Sequence, residues 1–325
     1  MASTTAPPAH PARAGTPSED GGSPVRRPRQ RHRLAAWSML APALLLFVAF
    51  LLVPIGYALW LSLRGLRLEG GGPFGRRVET FVGLENYATA IADAEFLAGF
   101  GRLLVYGALA VPFTLGLALV FALLLDARAA RATRFSRTAI FLPYAVPGVV
   151  ASLLWGFLYL PGTSPFSWLS DQLGGGAIPF LLDPWIFASV ANIAVWGGVG
   201  FNMIIIYTSL RGIPEEIYEA ARIDGAGEWQ IAWRIKVPLV APALVLTGLF
   251  SLIGTLQVYG EPTTLRPMTS AISQTWVPLM TIYRDAFTRD DLPLAAAESV
   301  LLAGLTVVLS VVLLRLNQRR IFGGS

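Results

Sequence analysis

Six apolar stretches, each long enough to cross a hydrocarbon core that takes about 20 residues of helix, recur along this chain and leave few options for its fold. They fall at about residues 37–63, 100–125, 138–160, 185–210, 239–258 and 295–316. In a bilayer every backbone polar group must be satisfied within the protein, so such stretches are helices. A transmembrane β-barrel would show short segments of alternating hydrophobicity instead, and that pattern is missing. Charged residues make up 14% of the sequence, against about 25% in a soluble domain. The expected fold is an all-α integral membrane protein with about six transmembrane helices.

The formal net charge of +5 raises the question of nucleic-acid binding, and the placement of the arginines answers it. Arg26, Arg27, Arg29, Arg31 and Arg33 precede the first span, and Arg128, Arg131, Arg134 and Arg137 lie between the second and third. Arg211, Arg222, Arg234 and Lys236 follow the fourth, and Arg315, Arg319 and Arg320 follow the sixth. Threaded alternately through six spans, all of these fall on one side, whereas the opposite loops mix arginine with many acids. Basic residues concentrate in short cytoplasmic loops, so both termini and the loop after the fourth span are expected in the cytoplasm. The basic residues orient the protein and do not bind nucleic acid.

Catalytic chemistry has little to work with. There is no cysteine, and the two histidines, His10 and His32, sit before the first span. No HExxH helix or His/Cys cluster is present, so a zinc enzyme is disfavoured. Lys236 is the only lysine and no glycine-rich loop precedes it, so the chain is not a P-loop ATPase. No metal or cofactor is expected on it. An ion-coupled secondary transporter would place titratable groups inside its spans, and these hold almost none; Arg102 and Glu298 sit near span ends, where they are expected to reach the interface. A membrane-embedded lipid-linked transferase would want clustered acids for a metal diphosphate. The one adjacent aspartate pair, Asp290–Asp291, reads as a solvated loop.

Along the chain, residues 1–33 read as a disordered cytoplasmic tail, 34–318 as the transmembrane domain and 319–325 as a C-terminal tail. The first span is too long for a typical signal-peptide core and should be retained. An external amphipathic helix is expected after Gly83, where Leu84, Tyr87, Ala88, Ile91 and Ala92 recur at helical spacing. The loop between the third and fourth spans is turn-rich, with Trp168 and Trp185 near the expected interface. The last external loop has room for a short helix.

One polar island interrupts this pattern. Residues 219–238, EAARIDGAGEWQIAWRIKVP, lie between two strongly apolar segments within a loop spanning 211–238. Pro214, Glu215 and Glu216 suit a helix start, with acids at the positive end of the dipole. Ala220 and Ala221 leave a smooth face for close approach, and Gly225 can take a positive φ that ends the helix. Trp229, Ile231, Trp233 and Ile235 follow as an apolar stretch, and Pro238 marks the next span. An ordinary amphipathic connector is the competing reading.

The island resembles the EAA loop of permease subunits of binding-protein-dependent ABC importers, in the branch serving sugars. Glu219, Ala220, Ala221, Gly225, Ile235 and Pro238 match at the family's spacing, as do Asp224 and Ala226. Ala232 and Val237 depart from the usual aromatic residue and leucine, and Trp233 stands beside the first departure. The PIGYALWLSL and GLENY segments extend the resemblance over most of the chain.

The resemblance implies an importer permease in a bacterial cytoplasmic membrane. ATP and magnesium would be used on two separate ATPase subunits, which dock on Glu219, Ala220, Ala221, Asp224, Gly225, Ile235 and Pro238. A second, homologous permease would complete the pore, and an extracytoplasmic sugar-binding protein would deliver the substrate. Because the spans flanking the loop line the path in such permeases, Asn202, Ser251, Thr255 and Gln257 are the expected contacts to sugar hydroxyls, with Trp196 and Tyr259 nearby. Packing between helices is an equally good use for these residues. The segment LQVYGEPTTLRP after the fifth span lacks the glycine richness common in relatives, and a di- or oligosaccharide is the expected cargo.

Overall fold

The structure, a computed structural model, describes residues 31–69, 76–128 and 131–321. Residues 1–30 and 322–325, which take in most of both expected tails, lie outside the described residues. The chain divides into two units, Met1–Pro54 and Ile55–Ser325. The described part of the first unit is helical, Arg31–Phe47 running on through a π-helical turn at Val48–Leu52. Its residues from Trp37 to Pro54 are all exposed and mostly apolar, a surface suited to lipid.

Among the described residues four helices are long and apolar enough to cross a membrane: Trp37–Ser62, Ala94–Asp126, Trp185–Arg211 and Leu292–Arg315. The other two expected spans are each a bent pair. Thr133–Ala145 and Gly148–Tyr159 meet at 95°, and Glu228–Leu239 and Ala241–Leu256 meet at 65°. Counting each pair as one span gives six. Prolines account for both bends. The residue before a proline is driven out of the helical region, and Val146, ahead of Pro147, is extended at φ −78° and ψ 126°. In the second pair a π-helical turn, Ala232–Lys236, leads into Pro238, and Pro242 opens the helix beyond the break at Val240.

Within the second unit, a two-stranded antiparallel hairpin that the sequence reading does not anticipate joins Arg64–Glu69 to Arg76–Phe81, with Arg64 opposite Phe81 and Glu69 opposite Arg76. Gly83, at φ +61°, turns the chain into the helix Glu85–Ala92, close to its expected position. The Asn86 amide ties this helix to the end of the first span by donating to the carbonyls of Ser62 (2.8 Å) and Arg64 (2.6 Å). Asp93 then caps the second span, its Oδ1 accepting from the amides of Glu95 (2.8 Å) and Phe96 (3.3 Å), as an N-cap aspartate should. A short helix, Pro165–Gln172, breaks up the loop read as turns, and Pro278–Phe287 supplies the helix expected in the last external loop.

The second and fourth spans form the most extensive helix pair. Small residues of the second span, Ala110, Ala118 and Ala122, are buried and allow the backbones to approach closely. Two apolar clusters lie along the pair. One gathers Leu103, Tyr106, Ile186, Val190 and Trp276, and the other gathers Ala118, Met203, Ile206, Leu210 and Val240.

Glu298 departs from expectation. It does not reach the interface: it is 0% exposed, because the Pro278–Phe287 helix packs across the start of the last span. Its carboxylate groups with those of Asp93 and Asp285, ligand oxygens of the three lying within 4.8 Å of one another. Asp285 accepts from Arg284 at 2.7 and 2.9 Å and pairs with Arg289 at 3.2 Å. Neither oxygen of Glu298 receives a hydrogen bond from the described residues. Two buried carboxyl groups facing each other, Glu298 and Asp285, can hydrogen-bond only while one of them holds a proton, whereas a glutamine of the same shape brings a permanent N–H donor to Asp285. Glu298→Gln is therefore expected to raise the thermal unfolding temperature of the detergent-purified protein. An unchanged or lower value would mean that the carboxylate has a favourable partner.

Candidate functional site

Two features of the second unit stand out: a cavity among the spans and a short helix at the opposite end of the second and fourth spans from the hairpin. The cavity, of about 520 Å³, is walled by the second span (Tyr106, Thr114), the break in the third (Tyr144, Val146), the fourth (Gly198, Phe201, Asn202), the fifth (Phe250, Ser251, Gly254, Thr255) and the segment 257–261. Of the expected path residues, Asn202, Ser251, Thr255, Gln257 and Tyr259 line it. Trp196 does not; it packs edge-on against Trp155, with ring centroids 6.0 Å apart, on the margin of the first cluster. The fifth span ends at Leu256 and Glu261 belongs to a separate helix, Gly260–Leu265. Gln257 and Glu261 therefore share the cavity without sharing a helical face.

The lining has the character of a polyol site. Asn202 donates from Nδ2 to the Gly198 carbonyl at 2.8 Å, and its Oδ1 is buried with no hydrogen-bond partner among the described residues. Thr255 donates to the Ser251 carbonyl at 2.8 Å, which leaves its oxygen able to accept. Tyr144 stacks on Phe201 at 5.0 Å and Phe201 meets Phe250 at 6.4 Å, an aromatic row that the sequence reading missed. Its signal lay in the prolines around Tyr144, which break the third span and turn this residue inward. Among the lining residues Glu261 is the single carboxylate, and there is no arginine or lysine.

The short helix is Glu215–Ile223, within the polar island. Its end follows from hydrogen bonding. The amide of Ala226 bonds the Ala221 carbonyl at 2.9 Å and that of Gly225 bonds the Arg222 carbonyl at 3.0 Å, the pairing of a Schellman cap. Gly225 supplies the left-handed residue at φ +84°. Glu219, Ala220, Asp224, Gly225 and Pro238 are exposed, while Ala221 and Ile235 are half-buried. Beside them stand bare apolar side chains: Ile223 is 86% and Trp229 76% exposed, and Trp233 lies against Trp229 at 5.5 Å.

The opposite face of this helix is tied to the spans by charge. Arg128, just past the second span, donates to Glu215 at 2.8 Å and holds that carboxylate below its usual range. Arg222 reaches both Glu215 (3.6 Å) and Glu228 (3.1 Å). Exposed pairs of this kind add little stability but set orientation. Deeper, Lys236 binds Asp126 at 2.6 Å beneath the ring of Tyr218. Burial, with the charge of Asp126 adding to it, pushes the Tyr218 phenol up to about 12.

Comparison with known proteins accords with this architecture. A family model described as the binding-protein-dependent transport system inner membrane component matches residues 114–322. The sn-glycerol-3-phosphate transport system permease protein UgpA of Salmonella choleraesuis is 34% identical over 308 residues, covering 91% of this chain and 98% of that one. Its counterpart in Escherichia coli strain UTI89 is also 34% identical over 308 residues, with the same coverage. Among solved structures, a chain of a bacterial ABC transporter involved in the import of alginate superposes with a TM-score of 0.73 at 20% identity, over 89% of this chain and 96% of that one. The alginate transporter in complex with a periplasmic protein bound to alginate pentasaccharide gives 0.75 at 19% identity, over 90% and 96%; at these identities the likeness is one of fold. The chain thus belongs to the inner membrane components of binding-protein-dependent transport systems, as a multi-pass permease subunit of an ABC importer and not an enzyme.

Proposed function

We propose that this permease carries an uncharged di- or oligosaccharide through the cavity around Asn202, driven by ATPase subunits that dock on the Glu215–Ile223 helix from the cytoplasm. The observation that carries the substrate class is the cavity lining. The named cargoes of the relatives, sn-glycerol 3-phosphate and alginate, are anions, and proteins hold phosphate and carboxylate mainly with arginine and lysine. This chain puts neither into its cavity, and its one charge, Glu261, repels an anion. What it offers instead is the free Oδ1 of Asn202, hydroxyls and an amide at Thr114, Ser251, Thr255 and Gln257, and aromatic faces at Tyr144, Phe201 and Tyr259. A few polar groups placed among apolar walls are the usual make-up of a small-molecule site.

The coupling role of the short helix rests on its bare surface. Ile223, Trp229 and Trp233 are too large and too exposed to face water idly, and Glu219 and Asp224 border them with charge that fixes orientation. Docking there would transmit rigid-body closure of an ATPase pair to the spans, as in other alternating-access devices. A second permease completes the pore, an extracytoplasmic binding protein delivers the sugar to the hairpin side, and both termini lie in the cytoplasm.

The test is uptake by proteoliposomes of the assembled transporter, comparing radiolabelled neutral di- and trisaccharides with sn-glycerol 3-phosphate and an oligouronide. Accumulation of a neutral sugar, reduced by roughly tenfold in Asn202→Leu for one lost hydrogen bond and one hindered wall, supports the assignment. Accumulation of the anions alone overturns it.

A further inference from the structure

Asp126 and Lys236 make a contact that neither substrate binding nor ATPase docking uses. Their side chains are 5% and 8% exposed and their charged atoms lie 2.6 Å apart. Lys236 is the only lysine in the sequence. Its ammonium sits 5.0 Å from the centre of the Tyr218 ring, the buried side chain of the Glu215–Ile223 helix, and Arg211 at the end of the fourth span approaches Asp126 at 3.9 Å. One ion pair thus joins the short helix, the π-helical turn after it and the ends of the second and fourth spans. A buried pair of this kind is rarely kept for stability, since hydrophobic replacements often serve as well.

We propose that Asp126 and Lys236 are positioning residues of the transport cycle, forming the joint through which displacement of the Glu215–Ile223 helix moves the second span. The second span is continuous from Asp126 to the cavity wall, Thr114 standing about 18 Å and Tyr106 about 30 Å along it. Apolar contacts would let the short helix slide over the span ends. An ion pair capped by an aromatic ring has one optimum position, so a shift at either side is carried to the other. Arg128 and Glu215 offer a parallel link, but at 59% and 57% side-chain exposure water weakens it.

The inference rests on the ATPase drive proposed above, and its test separates the two. The chain has no cysteine, so Gly254→Cys, on the cavity wall and with nothing within 4 Å of an added Cβ, gives a single reporter. The assembled transporter, with cysteine-free partners, is placed in proteoliposomes and labelled with an impermeant maleimide, with and without magnesium ATP and vanadate. With Asp126 and Lys236 intact, nucleotide should change the labelling rate about fivefold or more, the lower end of common coupling factors. With Asp126→Asn added, the ATPase should still co-purify and hydrolyse ATP, while the nucleotide effect on labelling falls below about twofold. Exchanging the charges, Asp126→Lys with Lys236→Asp, should recover part of it, which a merely structural role does not predict. Tyr218→Phe keeps the ring and should behave as the parent.

A full nucleotide response in Asp126→Asn overturns the proposal. Should that variant fail to assemble, the exchanged pair decides: assembly with a response supports the joint, and assembly without one overturns it. If the parent itself shows no nucleotide response, or no ATPase co-purifies, the drive beneath the proposal fails and the joint fails with it.

Discussion

Replacing Gly200 by leucine is expected to destroy the packing of the third span on the fourth, and with it the cavity. Gly200 faces the backbone of the third span where that helix nears its break. A Cβ added there would overlap the carbonyl oxygen of Ile140 and lie 2.7 Å from the Phe141 Cα. Both obstacles are backbone atoms, so no side-chain rotation relieves them. Overpacking a tight core contact costs about 1–3 kcal/mol and occasionally more, and here four carbons are added where one already collides. Gly200→Leu should lower the thermal unfolding midpoint in detergent by several degrees, Gly200→Ala by less, and both should open the Thr133–Ala145 helix to protease. A leucine variant unfolding with the parent would mean that the helices separate at no cost. Gly198, two residues earlier, is the internal control: an added Cβ there meets the Thr114 methyl at an ordinary 3.4 Å.

The contrast between those two glycines shows where the sequence stops informing. Both sit in one apolar run, GGVGFNM, and nothing local tells the helix contact from the cavity wall; the difference arises in the partner backbone, more than fifty positions away in the chain. The spans themselves were legible because hydrophobicity along a helix is a property of consecutive residues. Their bends were half legible. Pro143, Pro147, Pro238 and Pro242 stand in plain view, but proline fixes only where a helix is weak, and the angles of 95° and 65° are set by what each half packs against. The hairpin Arg64–Glu69 with Arg76–Phe81 lies in a loop whose length and charge draw the eye away from strand pattern.

The candidate sites divide the same way. The Glu215–Ile223 helix and its glycine end follow from local chemistry, with Pro214 ahead of its start and Gly225 just past its end. The cavity gathers five elements, so only those members carried on the fourth and fifth spans and just beyond were foreseeable. Tyr144 and Thr114 were not, and Trp196, on the right span, turns to the aromatic cluster. Glu298 misled for a related reason. A carboxylate near a helix end normally reaches water, and only the Pro278–Phe287 helix lying across it removes that option. Asp126 and Lys236 had a visible signal, a lone lysine and an acid closing an apolar run, but their pairing spans 110 positions.

Gly225→Val should uncouple the permease from its ATPase while leaving the spans folded. The φ of +84° at this position is available to glycine and, at small cost, to asparagine, whereas a side chain there costs about 1–2 kcal/mol and more when β-branched. No atom lies within 4 Å of the added Cβ, so the whole effect comes from the backbone and none from crowding. To escape the strain the loop must leave the left-handed conformation, which breaks the bonds from Gly225 to Arg222 and from Ala226 to Ala221. The placement of Ile223 on one side of the turn relative to Trp229 and Trp233 on the other then changes. Since about 1.4 kcal/mol is a tenfold change in an equilibrium, the affinity of the purified permease for its ATPase subunit, measured by titration in detergent, should fall by roughly tenfold or more. Gly225→Asn should stay close to the parent, and thermal unfolding of the membrane spans should be unaffected in both. Equal affinity for the valine and glycine forms would show that the ATPase does not read the geometry of this turn.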